Sequence, residues 1–131
     1  MSQENVDIVT RSFEHFRATG EPLQDLIAPD FVWDMSTFAG WPEQPRYEGS
    51  AGAREFMRDW GAAFDDWQLE VESVPDAGEK VVCVVRQRGR AKVTGMPLDM
   101  LFAQVFTVRD GRQVRMEMYS DPAEALAAAG L

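Results

Sequence analysis

The chain has one cysteine, Cys83, and one histidine, His15, in 131 residues. A lone thiol excludes a disulfide framework and a cysteine-based metal site. No group of His, Cys and carboxylates has metal-ligand spacing either, so no metal is expected. Positive charge is scarce: 13 Lys and Arg stand against 22 Asp and Glu, a formal charge of −9. That balance repels a phosphate backbone. The densest basic stretch, Arg86 to Lys92, is interleaved with small and neutral residues and reads as a solvated strand end. No Gly-rich phosphate loop follows a strand. No apolar run reaches membrane-spanning length, and Met1 to Asn5 carry neither a basic nor an apolar signal region. The expectation is a cytoplasmic protein with no nucleic-acid or membrane partner.

What is present is apolar and aromatic. Hydrophobic residues make up 45% of the chain, with eight Phe and four Trp, which suits an aromatic-lined interior. The length allows one domain, residues 1–131, around one core. A chain of this size buries roughly two thirds of its unfolded surface and needs no covalent staple.

The first half reads as helical. Val6, Val9, Phe13 and Phe16 recur at three- and four-residue steps, with Gly20 as a stop and His15 opposite the stripe. A short second helix is expected over Pro22 to Ile27, ended by Pro29, and then a short strand at Phe31-Val32-Trp33. Met35 to Glu48, with Gly40, Pro42 and Pro45, reads as a loop. A third helix from Ser50 carries Ala53, Phe56, Met57, Trp60 and Phe64 at helical spacing. The second half reads as sheet, with strands over Trp67 to Val71, Lys80 to Arg90, Leu98 to Val108 and Arg112 to Tyr119. Pro75 to Gly78 is a turn, Asp110-Gly111 a two-residue hairpin turn, and Asp121-Pro122 opens a terminal helix.

Counting back from that hairpin pairs Arg109 with Arg112, Val105 with Met116, and Ala103 with Met118. Leu101, Ala103, Val105, Met116 and Met118 then share one face. Met100, Phe102, Gln104 and Phe106 share the other with Arg115, Glu117 and Tyr119. Both faces of the Leu98–Val108 strand are apolar, and the helices counted do not cover both. One face is therefore expected to enclose a pocket and the other, outer face to meet a second copy in a homodimer.

Val9 to Phe16, Pro29 to Trp33, Tyr47-Glu48-Gly49 before Gly52 to Phe56, Val85 to Arg90, Phe102 to Gly111 and Glu124 to Leu131 together resemble the nuclear-transport-factor-2-like superfamily. They are closer still to its SnoaL-like, ketosteroid-isomerase-like branch. The resemblance implies an α+β fold in which a cone-shaped, curved antiparallel sheet wraps around N-terminal helices. It does not imply one activity, because the superfamily hosts isomerases, cyclases, hydrolases and proteins without chemistry. Residue by residue, Phe13 stands where ketosteroid isomerases place an oxyanion-donating Tyr, and Ala103 or Val105 where they place a protonated Asp. Asp34 falls within one residue of their general base. Arg86 matches one element of the limonene-type epoxide hydrolase set, whose acidic members are replaced by Arg88 and Met118. For a cyclase-type acid, Asp34, Asp99 and Glu117 are all conceivable.

The candidate catalytic residues are therefore Asp34 and Arg86. Asp34 is either a desolvated base in an apolar cavity or a loop carboxylate capping nearby amides. Arg86 is either an oxyanion-binding group, a role also open to Gln104, or a strand residue paired with Glu70 or Glu117. The candidate ligand-binding residues are Phe13, Trp33, Phe56, Trp60, Leu101, Ala103, Val105, Met116 and Met118. Two readings follow. One is a cofactor-free isomerase or cyclase that abstracts a proton from a small hydrophobic carbonyl compound. The other is a non-catalytic, dimeric protein that binds an apolar ligand, or an accessory subunit of a larger enzyme.

Overall fold

The computed structural model describes residues 2–19, 21, 23–38, 45–77 and 80–131. Helix α1 spans Ser2–Thr19, followed by a 3-10 turn at Gln24–Leu26, strand β1 (Ile27–Asp34) and the short β2 (Arg46–Glu48). Helix α2 covers Gly49–Gly61. Strands β3 (Phe64–Ser73), β4 (Asp76–Ala77), β5 (Lys80–Ala91), β6 (Pro97–Arg109) and β7 (Arg112–Tyr119) then lead to helix α3 (Pro122–Ala128). The expected helix stop at Gly20, the helix start at Pro22, loop residues Gly40 and Pro42, and turn residue Gly78 lie outside the described residues.

The strands form one sheet in the order β2-β1-β7-β6-β5-β3, with β4 pairing β5. It is α+β, curled and not closed. The sheet is mixed and not wholly antiparallel, because β1 runs parallel to β7. Pro29 ends no helix. It lies inside β1, where the register with β7 shifts between Ile27 and Val32, an irregularity that tolerates a residue without an N–H. Phe64 opens β3 and is not part of α2, which stops at Gly61. Tyr47, inside the segment expected to be loop, pairs with Trp33 as the centre of β2. The close approach of α2 to this strand depends on Gly52: a Cβ there would lie 2.9 Å from the Tyr47 carbonyl carbon.

The Asp110-Gly111 turn is present, with φ of 52° and 78°, and Arg109 pairs with Arg112 as counted. The register beyond it differs. Val108 pairs with Gln113 but Thr107 pairs with Arg115, so Val114 is the extra residue of a β-bulge. Met116 then pairs with Phe106, Met118 with Gln104, Glu117 with Val105, and Tyr119 with Ala103. Because side chains alternate with period two, this slip exchanges the faces of β6 relative to the two methionines. Phe102 and Phe106 join Met116 and Met118 in the main core. Leu101, Ala103 and Val105 belong to the outer face, which corrects the inward orientation expected of them.

The main core fills the space between the sheet and α1 and α2. Val9, Phe31, Trp33, Tyr47, Phe56 and Trp60 meet Val81, Cys83 and Val85 there. A smaller cluster lies on the outer face: Val82, Ala103 and Val105 are covered by Ala125 of α3, with Leu126 and Ala129 packed around them. The helix needed for the second face is therefore the terminal one, and the chain buries Val82, Ala103 and Val105 completely without a partner. Its start follows from Asp121, whose carboxylate accepts from the Ala123 amide at 3.0 Å, ahead of Pro122 at the first helical position.

Placing a charge under α3 tests this cover. Ala125→Asp buries an unpaired carboxylate, so the thermal melt should show a loss of about 3 kcal/mol together with increased binding of a hydrophobic dye. A melt unchanged from wild type would show that α3 does not seal the outer face.

Candidate functional site

Between the helices and the inner sheet face lies a cavity of about 80 Å³. Helix α1 contributes Ser12, Phe13 and Phe16 to its wall, and α2 contributes Ala53, Phe56, Met57 and Trp60. Leu23, Ile27, Phe31 and Trp33 come from the entry to β1 and from β1 itself. Trp67 and Leu69 come from β3, Phe102, Gln104 and Phe106 from β6, and Gln113 and Met118 from β7. The indole of Trp33 stacks on Phe56 with centroids 4.5 Å apart, and Phe13 meets Phe106 edge-on at 6.2 Å. Phe16 and Trp67, edge-on at 5.9 Å, together with Leu69, also border an open groove beside Arg17 and Arg88. The cavity approaches solvent on that side.

A few polar groups lie in this wall or bond to its side chains. Gln87 projects inward on the same face of β5 as Cys83 and Val85, and it is fully buried. Its Oε1 accepts from Trp60 Nε1 at 3.0 Å and from Trp67 Nε1 at 2.9 Å, so one amide sets the orientation of two wall indoles. Gln113 Nε2 donates to Ser12 Oγ at 2.5 Å and ties β7 to α1. Gln104 Nε2 makes only a long contact with the Met118 sulfur at 3.9 Å. The Nε1 of Trp33, the Oε1 of Gln104 and the Nε2 of Gln87 are buried with no hydrogen-bond partner among the described residues. Such atoms each cost roughly 1–3 kcal/mol.

None of the described residues lining the cavity carries an ionisable side chain. Asp34 is adjacent to Trp33 on β1 and so points to the opposite face. There its Oδ2 accepts from Arg115 Nη2, and its Oδ1 accepts from the Ser36 amide at 2.8 Å. Desolvation pushes this carboxyl up, but the Ser36 hydrogen bonds and the charges of Arg115 and Arg46 outweigh it and leave the pKa below its ordinary value. The expectation of a desolvated carboxyl poised as a base is corrected: Asp34 caps an amide and pairs with a guanidinium. Arg86 is also on the outer face. It donates to Glu72 at 3.1 Å and to Asp99 at 2.8 Å, and not to Glu70 or Glu117. Cys83, buried on the inner face, is pushed up to about 12 by desolvation and stays a neutral thiol.

The structure thus brings Phe13, Trp33, Phe56, Trp60 and Met118 together around one cavity. Met116 is buried behind that wall, while Leu101, Ala103, Val105, Asp34 and Arg86 lie elsewhere. Among the described residues, no three His, Cys, Asp or Glu side chains are grouped to hold a metal, and no helix is long and apolar enough to cross a membrane.

The sequence model of the SnoaL-like domain matches residues 9–116. This chain belongs to the SnoaL-like domain family. No curated protein matches it. Among solved structures, a nuclear-transport-factor-2-like protein from Burkholderia xenovorans is 25% identical over 98% of this chain and 97% of its own, with a TM-score of 0.75. A second such protein, of unknown function, from Burkholderia pseudomallei is 24% identical over the whole of both chains, with a TM-score of 0.77. A protein named as a SnoaL-like polyketide cyclase, from Jannaschia, is 21% identical over 98% of this chain and 93% of its own, with a TM-score of 0.74. These likenesses place the SnoaL-like fold and carry no activity with them.

Within this SnoaL-like domain, sequence reasoning missed Ser12, Gln87 and Gln113. A signal for Gln87 exists: it continues the inward series Val81, Cys83, Val85 by period two, so a polar side chain is carried into the core. Replacing it with leucine leaves two indole N–H groups without an acceptor. Gln87→Leu should lower stability by about 2–4 kcal/mol, read by denaturant titration, and should shift the tryptophan emission. The pH dependence of Asp34 has a defined sign. Its folded pKa lies below the ordinary 3.8, so its contribution is present above that pH and is lost as pH falls through the folded value. Asp34→Asn should cost on the order of 1 kcal/mol at pH 7, and the gap to wild type should close below about pH 3.8. A gap that persists at acid pH would point to packing, and not charge, as the origin.

Proposed function

We propose that this SnoaL-like domain holds a compact, uncharged, largely apolar molecule in its cavity and performs no acid–base step on it. One observation carries the reading: the described wall is aromatic and aliphatic, with serine and glutamine side chains but no acid or base. An ion entering such a wall loses its hydration without a counter-charge, and proton abstraction needs a titratable group within hydrogen-bond reach of the ligand. The isomerase or cyclase reading requires Asp34, which faces away from the wall and is held charged by Arg115 and the Ser36 amide. Size points the same way. The cavity is about 80 Å³, whereas an apolar cavity of ~150 Å³ takes benzene and pockets for drug-sized ligands span roughly 300–1,000 Å³. A fused-ring compound enters only if the walls move outward, while a single small ring or a branched aliphatic needs far less adjustment.

Pairing of two copies is proposed only through the strip of outer face that α3 leaves open, around Leu101, which is 37% exposed. Native mass spectrometry showing monomer alone at micromolar concentration would remove that part.

Toluene and benzoate separate the binding reading from its absence. Toluene should saturate a tryptophan-emission change, and benzoate, of similar shape but charged, should produce none. No response to toluene or to phenol, its hydroxyl-bearing counterpart, would end the ligand reading. Exchange of the α-protons of cyclohexanone in heavy water tests the chemistry: wild type, Asp34→Asn and buffer should give one rate. Faster exchange with wild type that the variant loses would restore Asp34 as a base.

A further inference from the structure

Two buried polar atoms belong to side chains that line the cavity and have no hydrogen-bond partner among the described residues: the indole N–H of Trp33 and the amide oxygen of Gln104. Both residues are only 6% exposed. The surroundings of each explain why neither is satisfied internally. Trp33 is stacked on Phe56, pairs with Tyr47 on one side and Met116 on the other, and meets Phe31 edge-on. Gln104 pairs with Cys83 and Met118, and its amide nitrogen is turned to the Met118 sulfur, which leaves the oxygen free. In a wall made mainly of hydrocarbon, an unmatched donor and an unmatched acceptor are costly to keep, and groups of this kind call for an explanation.

We infer that Trp33 and Gln104 are the specificity-determining pair of the cavity, reading a neutral polar group that accepts a hydrogen bond from the indole and donates one to the glutamine oxygen. This rests on the reading of the cavity as a site for an uncharged apolar molecule, and it narrows the ligand to a class: a compact hydrophobic body carrying a hydroxyl or an unsubstituted amide. A hydrocarbon leaves both atoms unpaired. An ether or tertiary amide satisfies the indole alone, and a carboxylate offers acceptors but no proton for Gln104. Sites built around hydrogen-bonding groups reject analogues that lack them, because the protein's own polar atoms then stay buried and unmatched. The other polar wall groups do not compete for this role. Ser12 and Gln113 are bonded to each other, and the indole N–H groups of Trp60 and Trp67 both donate to the buried Gln87.

Phenol, anisole and toluene, titrated at pH 7 against wild type by tryptophan emission and by ligand-observed NMR, form the test. Phenol should bind roughly tenfold more tightly than toluene, with anisole between them. Trp33→Phe and Gln104→Leu should each abolish the preference for phenol, read as the ratio of phenol to toluene affinity within each variant. If toluene and phenol both fail to bind, the ligand-site reading itself falls. If toluene binds as well as phenol to wild type, the pair is satisfied by water and the inference is overturned while the ligand site stands. A phenol preference that survives in both folded variants also overturns it. The three-ligand comparison on wild type needs no substitution, so a variant that fails to fold leaves the inference open to refutation.

Discussion

The pairing of β6 with β7 turns on one residue that has no partner. From the Asp110-Gly111 turn the ladder starts with Arg109 opposite Arg112 and Val108 opposite Gln113, and then Val114 is passed over. Without that bulge, the inward series begun by Gln113 would continue through Arg115, Glu117 and Tyr119. Two charged groups and a phenol would enter the core, and Met116 and Met118 would face out. The bulge reverses this assignment beyond Gln113. It keeps the Gln113–Ser12 tie to α1 and then turns both methionines inward against Phe106 and Gln104. The cavity wall, the charge pairs outside and the seat of α3 all follow from that step.

Because the sheet's two faces are sorted, no charged side chain among the described residues lines the cavity. Asp34, Arg115 and Glu117 gather on the outer face with Arg86, Asp99 and Glu72 further along it. Around the cavity, the polar side chains of the inner sheet face are neutral amides. Gln87 matches two indoles with one oxygen, and Gln113 matches a serine. An amide supplies donors and acceptors without the desolvation cost of an ion, so an interior of this kind is tunable toward neutral ligands and poorly suited to proton transfer.

Much of the fold was legible from pattern alone. Period two marked β3, β5, β6 and β7, three- and four-residue steps marked α1 and α2, and turn chemistry placed the hairpin and the α3 cap. The inward placement of Phe13, Trp33, Phe56 and Trp60 around the cavity was legible too, because they sit on elements whose inward face is unambiguous. What failed was β6. Both of its faces are apolar, so periodicity does not choose between Leu101-Ala103-Val105 and Phe102-Gln104-Phe106, and the choice fell to a register count that a bulge invalidates. Gln104 among the phenylalanines argued against the correct face. The large rings of Phe102 and Phe106, which a wide interior accommodates better than a helix-covered outer face does, argued for it. The outer cover was missed for a related reason: α3 is only seven residues long, and its small side chains, Ala125 foremost, did not look able to seal a strand.

Asp34 shows how a position associated with chemistry in one set of proteins serves structure in another. It stands at the end of β1, the strand that joins the sheet in parallel to β7, and parallel pairing is the weaker kind per residue. Its carboxylate reaches across that seam to Arg115 and forward to the Ser36 amide, so it binds the strand end to β7 and fixes the start of the following segment. Both bonds favour the ionised carboxylate and hold its pKa low, which is the opposite of what a base in an apolar pocket needs. With Trp33 turned inward by the same backbone, one dipeptide provides an aromatic wall to the cavity and a charged clasp to the sheet. A carboxylate brought into the cavity would require a one-residue slip of β1, and that slip would take Trp33 out of the wall.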